Sequence, residues 1–110
     1  NKNEIIKKEY NVKVITLSAY INNNISSDID VIKIDVEGHE FECLKGLFNT
    51  SISSNIHLIQ LEHHNDDMYE NSISFNQIND ILNRNNFKLI ERFKHAFGDF
   101  EDLLYKNTMI

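Results

Sequence analysis

The chain contains no proline, no tryptophan, one cysteine and three glycines among 110 residues. With Cys43 alone, an internal disulfide and a cysteine-based zinc site are both excluded. Gly38, Gly46 and Gly98 lie too far apart for a loop that cradles a phosphate or a dinucleotide, which needs two or three glycines close together. Basic residues are also few. Against 17 acids the chain has 11 Lys and Arg, a net charge of −6, and no basic stripe to displace counterions from a nucleic-acid backbone. No apolar run approaches the ~18 residues of a membrane span. The start, "NKNEIIKKEY", lacks the apolar core of a signal peptide. These absences predict a cytoplasmic protein with neither nucleic acid nor membrane as partner.

What is present is a globular composition, 41% hydrophobic and 25% charged, of a size for one small domain or part of a larger one. Asparagine and isoleucine each occur 16 times, a bias that suits an AT-rich coding sequence more than a physical requirement. No repeat or linker divides the chain, and residues 1–110 read as one compact unit.

Hydrophobic periodicity predicts a short strand over Val12–Thr16 running into a helical turn capped by Ser18, then a polar loop over Asn22–Asp28. Ile29–Val36 is apolar and β-branched apart from its charged positions, the pattern of a strand inside a parallel sheet. His39–Lys45 reads as a helix, with Gly46 placed to end it in the left-handed conformation. A second central strand covers Ile56–Glu62, and a polar loop, "HHNDDMYENS", follows. "SFNQINDILNRNN" is a helix with Phe75, Ile78, Ile81 and Leu82 in one stripe, a capping box of Ser74 and Gln77, and a stop at Asn85-Asn86. Phe87–Phe93 and Asp102–Ile110 are strands separated by a loop holding Gly98, suited to antiparallel pairing. Phe87, Phe93, Phe97 and Phe100 read as packing residues. The alternation implies α/β architecture with a mostly parallel sheet.

Ligands of open α/β sheets bind beyond the carboxyl ends of the strands. Asp35 and Glu62 sit at two such ends, with His63 and His64 directly after Glu62. Acids and imidazoles together suit general acid/base work or an oxygen/nitrogen metal site. Neighbouring strand residues point to opposite faces, which argues against all four converging on a metal. The structural alternatives are plain. Glu37 and Glu40 near a helix start each gain roughly 0.3–1 kcal/mol from the helix dipole. Gly38 serves a tight turn, though it also lets backbone approach a ligand. His39 reads equally as a surface residue, and Cys43 as a small hydrophobe.

The strings "TLSAYI", "DIDVIKIDVEGHEFECLKG", "IHLIQLEHH", "FKLIERF" and "DLLYKN" together resemble the FkbM-type S-adenosylmethionine-dependent methyltransferases from about Val12 onward. The resemblance implies the C-terminal half of a Rossmann-like class I methyltransferase fold, mostly parallel with an antiparallel last strand. Val31–Val36 would match the fourth strand of that fold and Ile56–Glu62 the fifth. It implies O-methylation of a small molecule or sugar by in-line displacement. Asp35, Glu62, His39 and His63 would be the candidate catalytic groups, and Asp35, Glu37 and Gly38 the side facing S-adenosylmethionine. The family usually has an acid where Ser18 stands. Its glycine-rich cofactor loop would lie upstream of Asn1, so these residues alone are expected to bind the cofactor weakly or not at all. Without a first strand beside it, Ile32–Val36 would be an apolar edge prone to self-association. A non-catalytic remnant or interaction module is the alternative, and a metal-dependent hydrolase a distant third.

Overall fold

The computed structural model describes residues 8–64 and 74–110. In chain order the elements are α1 (Leu17–Asn24), β1 (Ile29–Ile34), α2 (Glu40–Leu47), β2 (Ile56–His64), α3 (Phe75–Arg84), β3 (Phe87–Lys94) and β4 (Phe100–Asn107). The strands form one four-stranded sheet in the order β1-β2-β4-β3. β1 pairs parallel with β2, while β4 is antiparallel to both β2 and β3. Three strands therefore share one direction and the last is inserted between two of them. The expected mixed α/β architecture is present, and so is the antiparallel last strand.

Alternation along the strands divides the sheet into two faces. Ile34, Ile59, Leu61, Leu103 and Tyr105 share one face and are buried with Ile21, Leu44, Leu47, Ile78 and Leu82 of the three helices. α3 presents its predicted stripe to this core, and Ser74 with Gln77 forms the predicted capping box at its start. The box satisfies helix N–H groups that have no partner within the helix. Asn86, at φ 68°, ends the helix as read from sequence.

A buried carboxylate at the edge of this interior is paired with a partly exposed arginine. Glu101 is fully buried and accepts two hydrogen bonds from Arg92, from Nε at 2.8 Å and from a terminal nitrogen at 2.6 Å. The guanidinium also lies over the Phe75 ring, 4.1 Å from its centroid. A buried carboxylate is tolerable only when its charge is met in this way. Tyr105 beside it donates its hydroxyl to Asn79 Oδ1 at 3.0 Å, and burial holds its phenol well above the usual range.

Several local expectations are corrected. Val12–Thr16 forms no strand, because no neighbouring strand offers it a ladder. The cap of α1 is Thr16, whose side chain accepts from Ala19 N, and Ser18 is buried two residues on, within the first turn. Gly46 lies inside α2 and does not end it. A Cβ there would stand 3.5 Å from the Leu17 nitrogen of α1, an ordinary contact, so the helix packing leaves room for a side-chain carbon at this position. Asn22–Asn24 continue α1 where a loop was expected. Phe93 and Phe97 are exposed and do not pack, whereas Phe87 is in the core. Most of the predicted polar loop, residues 65–73, lies outside the described residues.

Candidate functional site

The ladder between β1 and β2 runs to Ile34 opposite Leu61. Asp35 follows directly on the end of β1, and Glu62 follows Leu61 two residues before the end of β2, so both lie near the carboxyl ends of two parallel neighbours. Both are off the buried face that Ile34 and Leu61 define. Asp35 is exposed and Glu62 half-buried. Across the other side of β2, Glu62 faces Asp102 of β4 in register. Two carboxylates thus face each other across β2 and β4, with Asp35 just past the end of β1.

After Asp35 the chain turns sharply. Glu37 takes φ 52° and Gly38 φ 97°. The left-handed region costs a residue with a Cβ about 1–2 kcal/mol, and glycine almost nothing. Glu40 holds the turn. This buried side chain, in the first turn of α2, accepts from Val36 N at 3.1 Å and Gly38 N at 3.3 Å on the same oxygen, Oε2. The sequence reading took Glu40 only as an acid favoured by the helix dipole. The available signal was its spacing, four residues after Val36 and two after the turn glycine.

His39, the residue preceding α2, is exposed at the rim of the turn. It also borders a groove of about 680 Å³ between the segment leading into α1 and α2, lined mainly by Val14, Ile15, Leu17, Tyr20 and Cys43. Burial, then the Glu40 and Glu42 carboxylates, push the Cys43 thiol above its ordinary range.

The two histidines after Glu62 belong to β2 and separate by alternation. His63 is buried on the helix-covered face, with its ring 6.4 Å from that of Phe75. His64 lies on the face of Glu62, with Nε2 2.7 Å from Glu62 Oε1. The imidazole joined to the candidate acid is therefore His64, and His63 lies on the opposite face of the sheet from Glu62. His64 stacks on Phe100 at 5.3 Å between centroids. His95 stacks on Phe100 at 4.2 Å while its Nε2 lies 3.0 Å from Asp102. Phe100 thus carries two imidazoles, each tied to a carboxylate. His57 sits at the start of β2, exposed and 3.7 Å from Asp28.

Among the described residues, no three His, Cys, Asp or Glu side chains gather as a metal site requires. Nor is any helix among them long and apolar enough to cross a membrane. No curated protein and no solved structure matches the chain. The methyltransferase FkbM domain, however, matches residues 2–89, from before α1 into β3. That span holds the Asp35–Glu40 turn and both strands carrying Asp35 and Glu62, and by it the chain belongs to the FkbM family of methyltransferases.

Proposed function

We propose that this chain is the acceptor-side part of an S-adenosylmethionine-dependent methyltransferase acting on a hydroxyl oxygen of a small molecule or sugar. The observation that carries the reading is the placement of Asp35 and Glu62 near the carboxyl ends of the parallel neighbours β1 and β2, with a turn holding glycine in the left-handed region directly after Asp35. That is where open α/β sheets receive ligands.

The residues present fit one side of the cofactor. Gly38 has no Cβ to obstruct a close approach, and exposed Asp35 and Glu37 offer acceptors to hydroxyl and ammonium donors. A glycine-rich loop is absent from these 110 residues, and on this reading it belongs to a preceding segment that supplies the rest of the fold. When bound, the cofactor supplies an electrophilic methyl group. Asp35, exposed just past the end of β1, accepts the proton of the acceptor hydroxyl. Glu62, fixed by His64, orients the hydroxyl from the other side. His39 at the rim is the second base within reach of the same turn. Glu40 keeps the turn in place by holding two backbone N–H groups.

The test has two parts. Asp35→Asn, made in a polypeptide extended by the residues encoded upstream, should retain the fold and lose on the order of 10²-fold in turnover, the usual contribution of a positioned base. Unchanged turnover removes Asp35 from the site. An extended protein that transfers no methyl group to any hydroxylated acceptor supports a non-catalytic remnant instead. Calorimetry on the 110-residue chain alone should show no micromolar binding of S-adenosylmethionine.

A further inference from the structure

The β3–β4 hairpin carries the ring on which the imidazole of the candidate site rests. Residues 95–99 join the two strands, and His95 N donates to Phe100 O at 3.2 Å to close the loop. Phe100 lies opposite His64 in the ladder between β4 and β2. Its ring stacks on both His64 and His95, with an interplanar angle of 26° in each pair. Gly98, in the same loop, has φ 85°. A Cβ on Gly98 would stand 2.6 and 2.8 Å from two carbons of the Phe100 ring, nearer than side-chain carbons pack, so the ring would have to move. A moved ring loses its present contact with both imidazoles. The left-handed backbone at this position also favours glycine over any residue with a Cβ.

We propose that Phe100 is a positioning residue for methyl transfer, holding the His64 imidazole against Glu62, and that Gly98 is the position that lets its ring lie there. The inference rests on the reading that Glu62 orients the acceptor hydroxyl. A glutamate side chain turns about three bonds, so the 2.7 Å contact with His64 Nε2 aims its carboxylate only as well as the imidazole is itself fixed. The ring torsion of a histidine is broad and has no sharp staggered wells of its own. A flat ring stacked against the imidazole narrows that torsion, which an aliphatic side chain of similar volume would not do. Phe100 is itself constrained by the ladder, by Gly98 and by His95, whose Nε2 is tied to Asp102. The contacts therefore run from the hairpin loop through Phe100 and His64 to Glu62. Misplacing a reacting or orienting group by about 1 Å can cost on the order of 10²-fold in rate.

Two variants break the stack by different means. Gly98→Ala displaces the ring, and Phe100→Leu keeps an apolar side chain without a flat face. Phe97→Leu, which alters an exposed ring in the same loop, is the control. Proton NMR of the 110-residue chain should show a downfield His64 Nε2 proton, kept from exchange by its contact with Glu62 and identified by its loss in His64→Asn. That signal should vanish in Gly98→Ala and Phe100→Leu and persist in Phe97→Leu, with the circular dichroism spectrum unchanged in all three. In the polypeptide extended by the upstream residues, the first two variants should lower kcat about tenfold and move KM by less than about twofold. A stack that only stabilises the hairpin would lower the urea midpoint and leave the proton signal and kcat where they were. A signal kept in both variants, an unchanged kcat, or a Phe97→Leu loss equal to that of Phe100→Leu would each overturn the proposal. An extended wild type that transfers no methyl group overturns the reading of Glu62, and the role of Phe100 with it. Transfer that is present but indifferent to the two variants overturns the role of Phe100 alone.

Discussion

Replacing Glu40 by alanine removes a side chain that anchors the turn. Both the Val36 and Gly38 N–H groups donate to Oε2, at 3.1 and 3.3 Å. Hydrogen bonds to a charged acceptor contribute about 1.5–3 kcal/mol each, and distances this long place both at the lower end, about 3 kcal/mol together. The carboxylate also sits in the first turn of α2, worth roughly 0.5 kcal/mol against the helix dipole. Alanine's higher helix propensity recovers only about 0.5 kcal/mol. The net expectation is a loss of about 3 kcal/mol, from a total of about 5–15 for a domain of this kind. Glutamine should behave differently. Since one oxygen takes both donors, an amide oxygen can take both as well, and only the charge is lost, about 1 kcal/mol. Urea unfolding of the three proteins, with equal m values, measures the difference. Hydrogen exchange at Val36 and Gly38 gives the local readout, with protection lost in the alanine variant and largely kept in the glutamine variant. Equal losses for the two variants, or unprotected amides in the wild type, would refute the assignment of Glu40 as the anchor.

Three further expectations concern the interior. Arg92→Met leaves the fully buried Glu101 without its bidentate partner. It should cost about 3 kcal/mol, the low end for a broken buried pair because Arg92 is itself 42% exposed, and a loss under about 1 kcal/mol would rule that out. Burial raises the Tyr105 phenol, so the unfolded chain ionises first; stability is full below about pH 10 and falls as the pH rises above it. Tyr105→Phe should flatten that alkaline loss in denaturant titrations, and an unchanged slope contradicts the cause. The raised Cys43 thiol predicts alkylation at pH 8 much slower in the folded than in the unfolded protein, and faster again in Glu42→Gln; equal rates would show that neither burial nor the neighbouring acids govern it.

Helices and central strands were readable from sequence where one period dominated. The α3 stripe, its capping box and the two parallel strands follow from local pattern alone, because burial on one face imposes the period. The Val12–Thr16 segment shows the limit of that reasoning. Its alternation is strand-like, but a strand exists only if a neighbour supplies hydrogen bonds, and pattern says nothing about neighbours. Gly46 failed for a related reason: a glycine carried inside a helix looks the same in sequence as one that ends it. At the candidate site, Asp35 and Glu62 were found because strand ends are known from the strands themselves. The exchange of His63 for His64 follows from β2 running two residues further than expected, which carries both imidazoles into the alternation of the sheet. Glu101 had no sequence signal. Its carboxylate is met by Arg92, which the β3–β4 pairing brings to it.

The position of β4 has a consequence for how the protein is made. The last strand lies between β2 and β3, and it brings Glu101, Leu103 and Tyr105 into the interior. Until Asn107 leaves the ribosome, β1 with β2 and β3 with its preceding helix have no ladder joining them. The nascent chain therefore holds two unjoined pieces until the final strand enters between them, pairing first with nearby β3 and then with β2, from which Phe100 is 36 residues distant at the His64 contact. Truncation ahead of Phe100 would do more damage than the loss of one strand suggests, since β4 is the strand that joins the other described pieces.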